Sequence, residues 1–156
     1  MKITLLVVGK TTDTHIDSLI QEYLKRLTHY VPFALQVIPE IRNTKALTLE
    51  QQKQAEGELV LRSISPSTKM ILLDEHGQEL RSIEYAEYLQ RAMLSGQDVV
   101  FVVGGPYGFS DAVYQRSNGK ISLSKMTFSH QMVRLFFVEQ TYRAMTILRG
   151  EPYHHE

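Results

Sequence analysis

The sequence VVFVVGGPYG, residues 99–108, indicates the fold class of this chain. Its first five residues are apolar and mostly β-branched. They predict a strand over residues 98–103 that is buried on both faces, as strands are in a parallel sheet covered by helices. The glycines that follow predict a tight turn, because glycine permits positive φ and a close approach of the backbone to a ligand.

The glycine turn does not carry the spacing of a known phosphate loop. It lacks both the G-x-G-x-x-G pattern of dinucleotide-binding folds and the lysine of a Walker loop. A phosphate-binding role is therefore disfavoured. Two interpretations stay open: a structural turn that ends a buried strand, and a backbone wall against another kind of ligand.

Strand and helix patterns alternate along the whole chain, without a linker or an internal repeat. This alternation predicts one three-layer α/β domain, residues 1–156, with a mostly parallel sheet. Prolines at both ends of the second strand favour an edge position for it. The predicted strands cover residues 2–8, 32–39, 69–74, 98–103 and 121–126, and the predicted helices cover residues 14–27, 49–64, 82–94, 111–117 and 130–149.

Polar residues at the predicted helix starts match known capping patterns. A Ser or Thr side chain at such a position accepts a hydrogen bond from a backbone N–H of the first helical turn. When a suitable polar side chain follows three residues later, it returns a bond to the cap, which completes a capping box. The predicted caps are Thr14 with Asp17, Thr48 with Gln51, Ser110 and Ser129.

Composition limits the classes of function. Hydrophobic residues make up 43% of the 156 residues, which is ordinary for a globular domain, and the formal net charge is zero. A chain with zero net charge is not expected to bind free nucleic acid by electrostatic attraction alone. The absence of cysteine excludes disulfides, a thiolate zinc site and a cysteine nucleophile. No apolar run is long enough to cross a membrane and no secretory signal is evident, so we expect a cytoplasmic protein.

Three predicted strands end in residues that could share one crevice. In open α/β sheets, ligands bind beyond the carboxyl ends of the strands. The three strand ends are Leu73-Asp74, Gly104-Gly105 and Met126-Thr127. The hydroxyls at positions 122, 124 and 127 could serve either backbone turns or a ligand. His130 stands in the first turn of the last helix, where the helix dipole disfavours a charged imidazole, so packing is favoured over catalysis.

The last predicted helix is apolar around most of its circumference. Such a helix must be covered on more than one side, and a second copy of the chain is the simplest cover, which predicts a homodimer. Glu139 and Arg143 are four residues apart and could form an ion pair. Gly150 and Pro152 predict the end of the helix.

The tail after this helix contains Tyr153, His154 and His155. It could be a solvated tail or a metal-binding segment. Adjacent histidines do not share a helix or strand face, and no third ligand is evident, so we expect no metal.

The glycine turn, the polar run after it and the last helix together resemble the SPOUT-class methyltransferases that methylate N3 of a pseudouridine in large-subunit (23S) ribosomal RNA. The resemblance extends over essentially the whole chain. The matching segments are VGGPYG at 103–108, SLSKMTFSH at 122–130, VR at 133–134, EQ at 139–140, YRA at 142–144, PYH at 152–154, and MKI, VGK, EY and PF in the amino-terminal part.

This resemblance implies a deep carboxyl-terminal trefoil knot, a homodimer and S-adenosyl-L-methionine as the methyl donor. The residue pattern alone would favour an open flavodoxin-like sheet, because threaded chains are nearly absent among folds. By matching position, the catalytic residues would be Arg143, Tyr153 and His154, close to the methyl group and across the dimer interface. The residues implied to bind the donor are Leu73, Gly104, Gly105, Leu123, Ser124, Lys125, Met126, Thr127 and Phe128.

The expected activity is donor-dependent methylation of ribosomal RNA in the assembled ribosome. Neutral net charge favours a structured target, on which shape adds contacts. The alternative is a non-enzymatic module with a flavodoxin-like sheet that binds ribosomes or nucleotides.

Overall fold

A computed structural model describes residues 1–156 and contains one five-stranded sheet. All pairings are parallel, in the order β2-β1-β4-β3-β5. The three-layer parallel α/β domain predicted from the sequence is therefore confirmed. The strands are β1 (Ile3–Val8), β2 (Phe33–Ile38), β3 (Lys69–Glu79), β4 (Val99–Val103) and β5 (Gly119–Ser122), and the helices are α1 (Thr14–Leu27), α2 (Leu49–Arg62), α3 (Ser82–Ser95), α4 (Asp111–Arg116) and α5 (His130–Leu148), with a 3-10 turn at Thr44–Ala46.

The two faces of the sheet bury two separate cores. Side chains that alternate along each strand point to opposite faces. Leu5 and Phe101 pack with α1, α3 and α5 on one face. Leu6 and Val102 pack with α2 and α4 on the other face. Helices on both faces explain why β4, all of whose residues are buried, is a continuous apolar run.

Strand β2 lies at an edge of the sheet, as its flanking prolines predict. The capping box at Thr48 and Gln51 is also confirmed, and so are the N-caps Ser110 and Ser129. The cap of α1 differs from the prediction. Asp13, rather than Thr14, is the N-cap, and its Oδ1 accepts from the backbone N–H groups of His15 and Ile16.

Two strand boundaries predicted from the sequence are wrong. Strand β3 continues through the predicted exit turn to Glu79, whereas β5 ends at Ser122 instead of residue 126. The cause is an unusual pairing, in which Ile121 is in register with both Leu73 and Gln78 of β3. The second half of β3 therefore gains its strand geometry from β5 and not from its own sequence.

Helix α5 is covered largely within one chain. It packs against the sheet with α1 on one side and α3 on the other. Only His130 and Phe136 of this helix are exposed. The apolar circumference that suggested a second copy is thus accounted for mainly by these neighbours. No helix of the chain is long and apolar enough to span a membrane.

A buried arginine fastens α5 to the carboxyl end of β1. The Arg134 side chain is only 3% exposed. Its guanidinium donates hydrogen bonds to the carbonyl oxygens of Val8 and Gly9 and to the hydroxyl of Thr11. Burial lowers the pKa of this guanidinium. These bonds fix the start of α5 beside the edge of the sheet where the strands end.

Gly77 allows β5 to lie against the second half of β3. A Cβ at this position would lie 2.7 Å from both the backbone N and the carbonyl C of Ile121. Backbone atoms in two paired strands cannot move aside as a flexible side chain can. A side chain at position 77 would therefore separate the strands.

We expect Gly77→Ala to lower the free energy of unfolding by about 1–3 kcal/mol, the range for overpacking in a well-packed interior. Gly119→Ala on β5 is the matched control. Its Cβ would meet only the terminal methyl of Ile71, at 3.4 Å, so we expect a change within about 1 kcal/mol. Urea unfolding followed by circular dichroism measures both variants, and equal losses would contradict the close approach at Gly77.

Candidate active site

A cavity of about 540 Å³ opens at the carboxyl edge of the sheet. Leu73, midway along β3, is in register with Val103 at the end of β4 and with Ile121 near the end of β5. The crevice predicted to be shared by Leu73-Asp74, Gly104-Gly105 and Met126-Thr127 is confirmed, since all six residues line it, although β3 and β5 do not end at these residues. Of the nine residues implied to bind a methyl donor, eight line the cavity: Leu73, Gly104, Gly105, Leu123, Ser124, Met126, Thr127 and Phe128.

Lys125, the ninth, does not line the cavity. Its side chain is 85% exposed, and its ammonium lies 3.8 Å from the carboxylate of Glu79. The side chain at this position therefore points away from the cavity, between two neighbours that face it.

The segment after β5 forms one wall of the cavity with its backbone. The hydroxyl of Ser122 donates to the carbonyl of Ser124, and the hydroxyl of Ser124 accepts from the N–H of Met126. Two of the three hydroxyls singled out in the sequence thus hold turns, and Thr127 forms no such bond. Within this wall, the backbone N–H groups without an acceptor in the chain are those of Leu123, Ser124, Lys125, Thr127 and Phe128.

The glycine turn forms the opposite wall. The N–H of Gly108 donates to the carbonyl of Gly105, and Gly108 has a positive φ of 82°. Beneath the turn, the ring of the buried Phe109 would lie 3.1 Å from a Cβ at Gly104. The turn is therefore packed from below, and its upper side faces the cavity.

Tyr114 and Asp74 stand at the rim of this cavity. The Tyr114 hydroxyl donates a short hydrogen bond to the Asp74 carboxylate, which also accepts from the N–H of His76. Burial and the bond to Asp74 raise the pKa of Tyr114 to about 12, so its proton stays on the hydroxyl at neutral pH. Sequence patterns did not single out Tyr114, because its partner lies on a distant strand.

A second cavity, of about 520 Å³, lies on the other side of the glycine turn. It is lined by charged side chains, among them Glu40, Lys53, Glu56 and Arg134. His130 lines both cavities and is exposed, so the packing role predicted for it is wrong. The start of α5 projects this ring into the space between the cavities.

The three residues implied to be catalytic lie together around Glu139. The Arg143 guanidinium pairs with the Glu139 carboxylate at 2.7 Å, which confirms the ion pair predicted from their spacing. The same guanidinium lies 3.2 Å from Nδ1 of His154. The Tyr153 hydroxyl donates to Glu139 at 2.9 Å. Burial, together with hydrogen bonds to Tyr23 and Glu139, raises the pKa of Tyr153.

This cluster does not line the 540 Å³ cavity of its own chain. The tail is instead fastened along α1 and α5. The Tyr153 ring packs edge-on against Tyr142 at 4.8 Å, and the Tyr30 hydroxyl donates to Glu151. The carboxylate of Glu156 pairs with Arg81 at the start of α3. The tail is therefore an ordered part of the helical layer and not a solvated end.

A third cavity, of about 360 Å³, lies on the side of α5 between the 540 Å³ cavity and the tail. It shares Leu123 and Phe128 with the first cavity, and Arg81 and Gln140 line its other side. Phe128 packs against the exposed Phe136, with their ring centroids 5.0 Å apart. The rings of Phe128 and Phe136 thus form an apolar surface between the residues that line the 540 Å³ cavity and the cluster around Glu139.

Comparisons with known proteins agree with this architecture. The family model described as "Predicted SPOUT methyltransferase" matches residues 1–154. Among curated relatives, proteins from Bacteroides thetaiotaomicron and Parabacteroides distasonis are each 57% identical, and one from Flavobacterium johnsoniae is 54% identical. Each of these matches covers 100% of both chains, and each relative is named ribosomal RNA large subunit methyltransferase H. The family model and the relatives both extend over the strands, the cavities and the tail described above, and the chain belongs to the SPOUT methyltransferase family.

Proposed function

We propose that this protein transfers a methyl group from S-adenosyl-L-methionine to N3 of a pseudouridine in large-subunit ribosomal RNA, in the cytoplasm and on assembled ribosomes. The observation that carries the proposal is the cavity at the strand ends, lined by eight of the nine residues implied to bind the donor. The names of the full-length relatives support ribosomal RNA of the large subunit as the substrate.

The chemistry of the cavity fits this donor. Unpaired backbone N–H groups along residues 123–127 can donate to the ring nitrogens of adenine, while Leu73 and Phe128 offer apolar contact to its faces. The bare backbone of Gly104 and Gly105 leaves room for the rest of the molecule. When bound, this donor supplies an electrophilic methyl group on a sulfonium.

A trefoil knot belongs to the same proposal. Its support is the position of Ile121, which pairs with Leu73 on the first half of β3 and with Gln78 on the second half. Pairing of one strand with two parts of a single continuous segment is the arrangement expected if that strand is threaded through the loop that the segment makes. The close contact of Gly77 with Ile121 is consistent with this threading.

A homodimer would complete the site. Arg143, Tyr153 and His154 lie away from the cavity of their own chain, so a partner copy is needed to bring a tail to the donor. The exposed apolar residues beside the cavity, Met126 at 76% and Phe136 at 36%, offer a surface for such a copy.

The reaction requires loss of the N3 proton and an aligned approach of the nitrogen to the methyl group. Positioning of two reactants contributes about 7–11 kcal/mol when their orientation is favourable. His154 is the candidate acceptor for the N3 proton. Arg143, held in place by Glu139, can stabilise negative charge that develops on the imide oxygens. Tyr153 packs under the Arg143 guanidinium, 4.7 Å from its ring centroid, and so fixes its plane.

We expect His154→Ala to lower the methylation rate by about 10²–10⁴-fold, the usual contribution of a general base. Arg143→Ala should lower it as well, because charge on the imide oxygens is then less stabilised. Donor binding, measured by calorimetry, should persist in both variants. His155→Ala, at an exposed neighbouring position, is the control and should keep full activity. Normal turnover in both of the first two variants would show that the assignment is wrong.

Mixed dimers test whether the site is shared between chains. Gly104→Leu should abolish donor binding, because a side chain there meets Phe109 and enters the cavity. Neither this variant nor His154→Ala should methylate alone. Co-expressed with different tags and purified as a mixed dimer, they should regain about half of the activity per dimer, since one intact cavity meets one intact tail. Mixed dimers that stay inactive would argue against a shared site.

Assembled ribosomes or large subunits should be methylated far faster than a short stem-loop with the same pseudouridine. A chain with zero net charge has few surplus cations for free RNA, so shape must supply the contacts. Transfer of labelled methyl to ribosomes from cells lacking this protein measures the difference and identifies the base. Equal rates on both substrates would refute the preference. Binding of nucleotides without any binding of the methyl donor would favour the non-enzymatic module.

A further inference from the structure

Helix α2 is strongly polar, yet two adjacent residues in it, Glu56 and Gly57, pack against the glycine turn and the start of α4. Gly57 in this helix is buried, and a Cβ there would lie 2.4 Å from the hydroxyl oxygen of Ser110. Ser110 caps α4, which begins directly after the glycine turn. The bare backbone of Gly57 therefore lets α2 approach the start of α4 closely, which explains a glycine inside a helix.

The preceding residue, Glu56, contacts the turn itself. Its carboxylate accepts a hydrogen bond from the N–H of Gly105 at 3.1 Å. A Cβ on Gly105 would lie 2.7 Å from each carboxylate oxygen. The space that a side chain would need at position 105 is thus occupied by the Glu56 carboxylate.

No cation pairs with this carboxylate. Of the charged groups that line the same cavity, Lys53 pairs with Glu50 at 3.4 Å, and Arg134 donates to backbone and hydroxyl oxygens near β1. His130 also lines the cavity and forms no ion pair with Glu56, and Glu40 adds a second carboxylate to the same lining.

A partly buried carboxylate without a cation lowers the stability of the fold. Burial raises the pKa of Glu56, and Glu40 raises it further, while the bond from Gly105 opposes them. A carboxyl whose pKa is higher in the folded than in the unfolded chain makes the fold less stable as the pH rises through that pKa. The ionised group is therefore costly at neutral pH, and its one hydrogen bond goes to the wall of the donor cavity.

We propose that Glu56 is a positioning residue that holds the glycine turn, residues 104–108, in the geometry that receives the methyl donor. The inference rests on the proposed function in one respect only, the identity of the ligand. Within the turn, the sole other backbone bond joins Gly108 to Gly105. Without the carboxylate, the N–H of Gly105 has no acceptor in the chain. The peptide group between Gly104 and Gly105 is then no longer held in one orientation at the cavity wall.

The test compares Glu56→Gln and Glu56→Leu with Glu58→Gln and Glu58→Leu. Glu58 lies on the same helix, is exposed and forms no hydrogen bond or ion pair, so it controls for changes in helix charge and propensity. Three quantities are measured at pH 7: the exchange rate of the Gly105 amide in the free protein by NMR, the Kd for S-adenosyl-L-methionine by calorimetry, and stability in urea.

In Glu56→Leu we expect the Gly105 amide to exchange about tenfold faster and the donor to bind about tenfold more weakly, which corresponds to loss of one charge-assisted hydrogen bond. Glu56→Gln retains a neutral acceptor oxygen and should show smaller changes in both. Stability should stay equal or increase in both variants, because a costly buried charge is removed. Affinity and stability then move independently, which a purely structural role does not produce.

An unchanged Gly105 exchange rate in Glu56→Leu would overturn the proposal, and so would a donor affinity that falls only in step with stability. If the wild-type protein binds no S-adenosyl-L-methionine, the proposed function fails. The exchange rate of the Gly105 amide still decides whether Glu56 holds the turn.

Discussion

The position of Ile121 between the two halves of β3 is the constraint on which the rest of the structure depends. Leu73 pairs on one side of it and Gln78 on the other. This arrangement sets where β5 ends, and it directs the following segment back across the carboxyl edge of the sheet. The 540 Å³ cavity exists because that segment returns opposite the glycine turn. The same pairing requires a bare backbone at Gly77.

Local patterns predicted much of this molecule. The apolar run of β4, the prolines around β2 and the cap at Ser129 each act over a few residues, and each is confirmed. Eight of the nine residues that the resemblance implied for donor binding line one cavity, whereas Lys125 does not. What local patterns missed are contacts between distant segments, such as the bond from Tyr114 to the carboxylate on β3. The extension of β3 was missed for the same reason, since its partner is β5.

Two carboxylates, those of Glu139 and Glu56, organise parts of the candidate site without lining the 540 Å³ cavity. Glu139 gathers Arg143 and Tyr153 into one cluster with the tail. Glu56 does the corresponding work for the glycine turn through a single backbone N–H.

The register between β3 and β5 also has a consequence for the order of folding. Strands β1 to β4 can pair with one another before β5 joins, because β5 pairs only with β3. The cavity wall formed by residues 122–128 and the tail both follow β5 in the chain. A chain that has built only its first four strands therefore still lacks both this wall of the cavity and the tail.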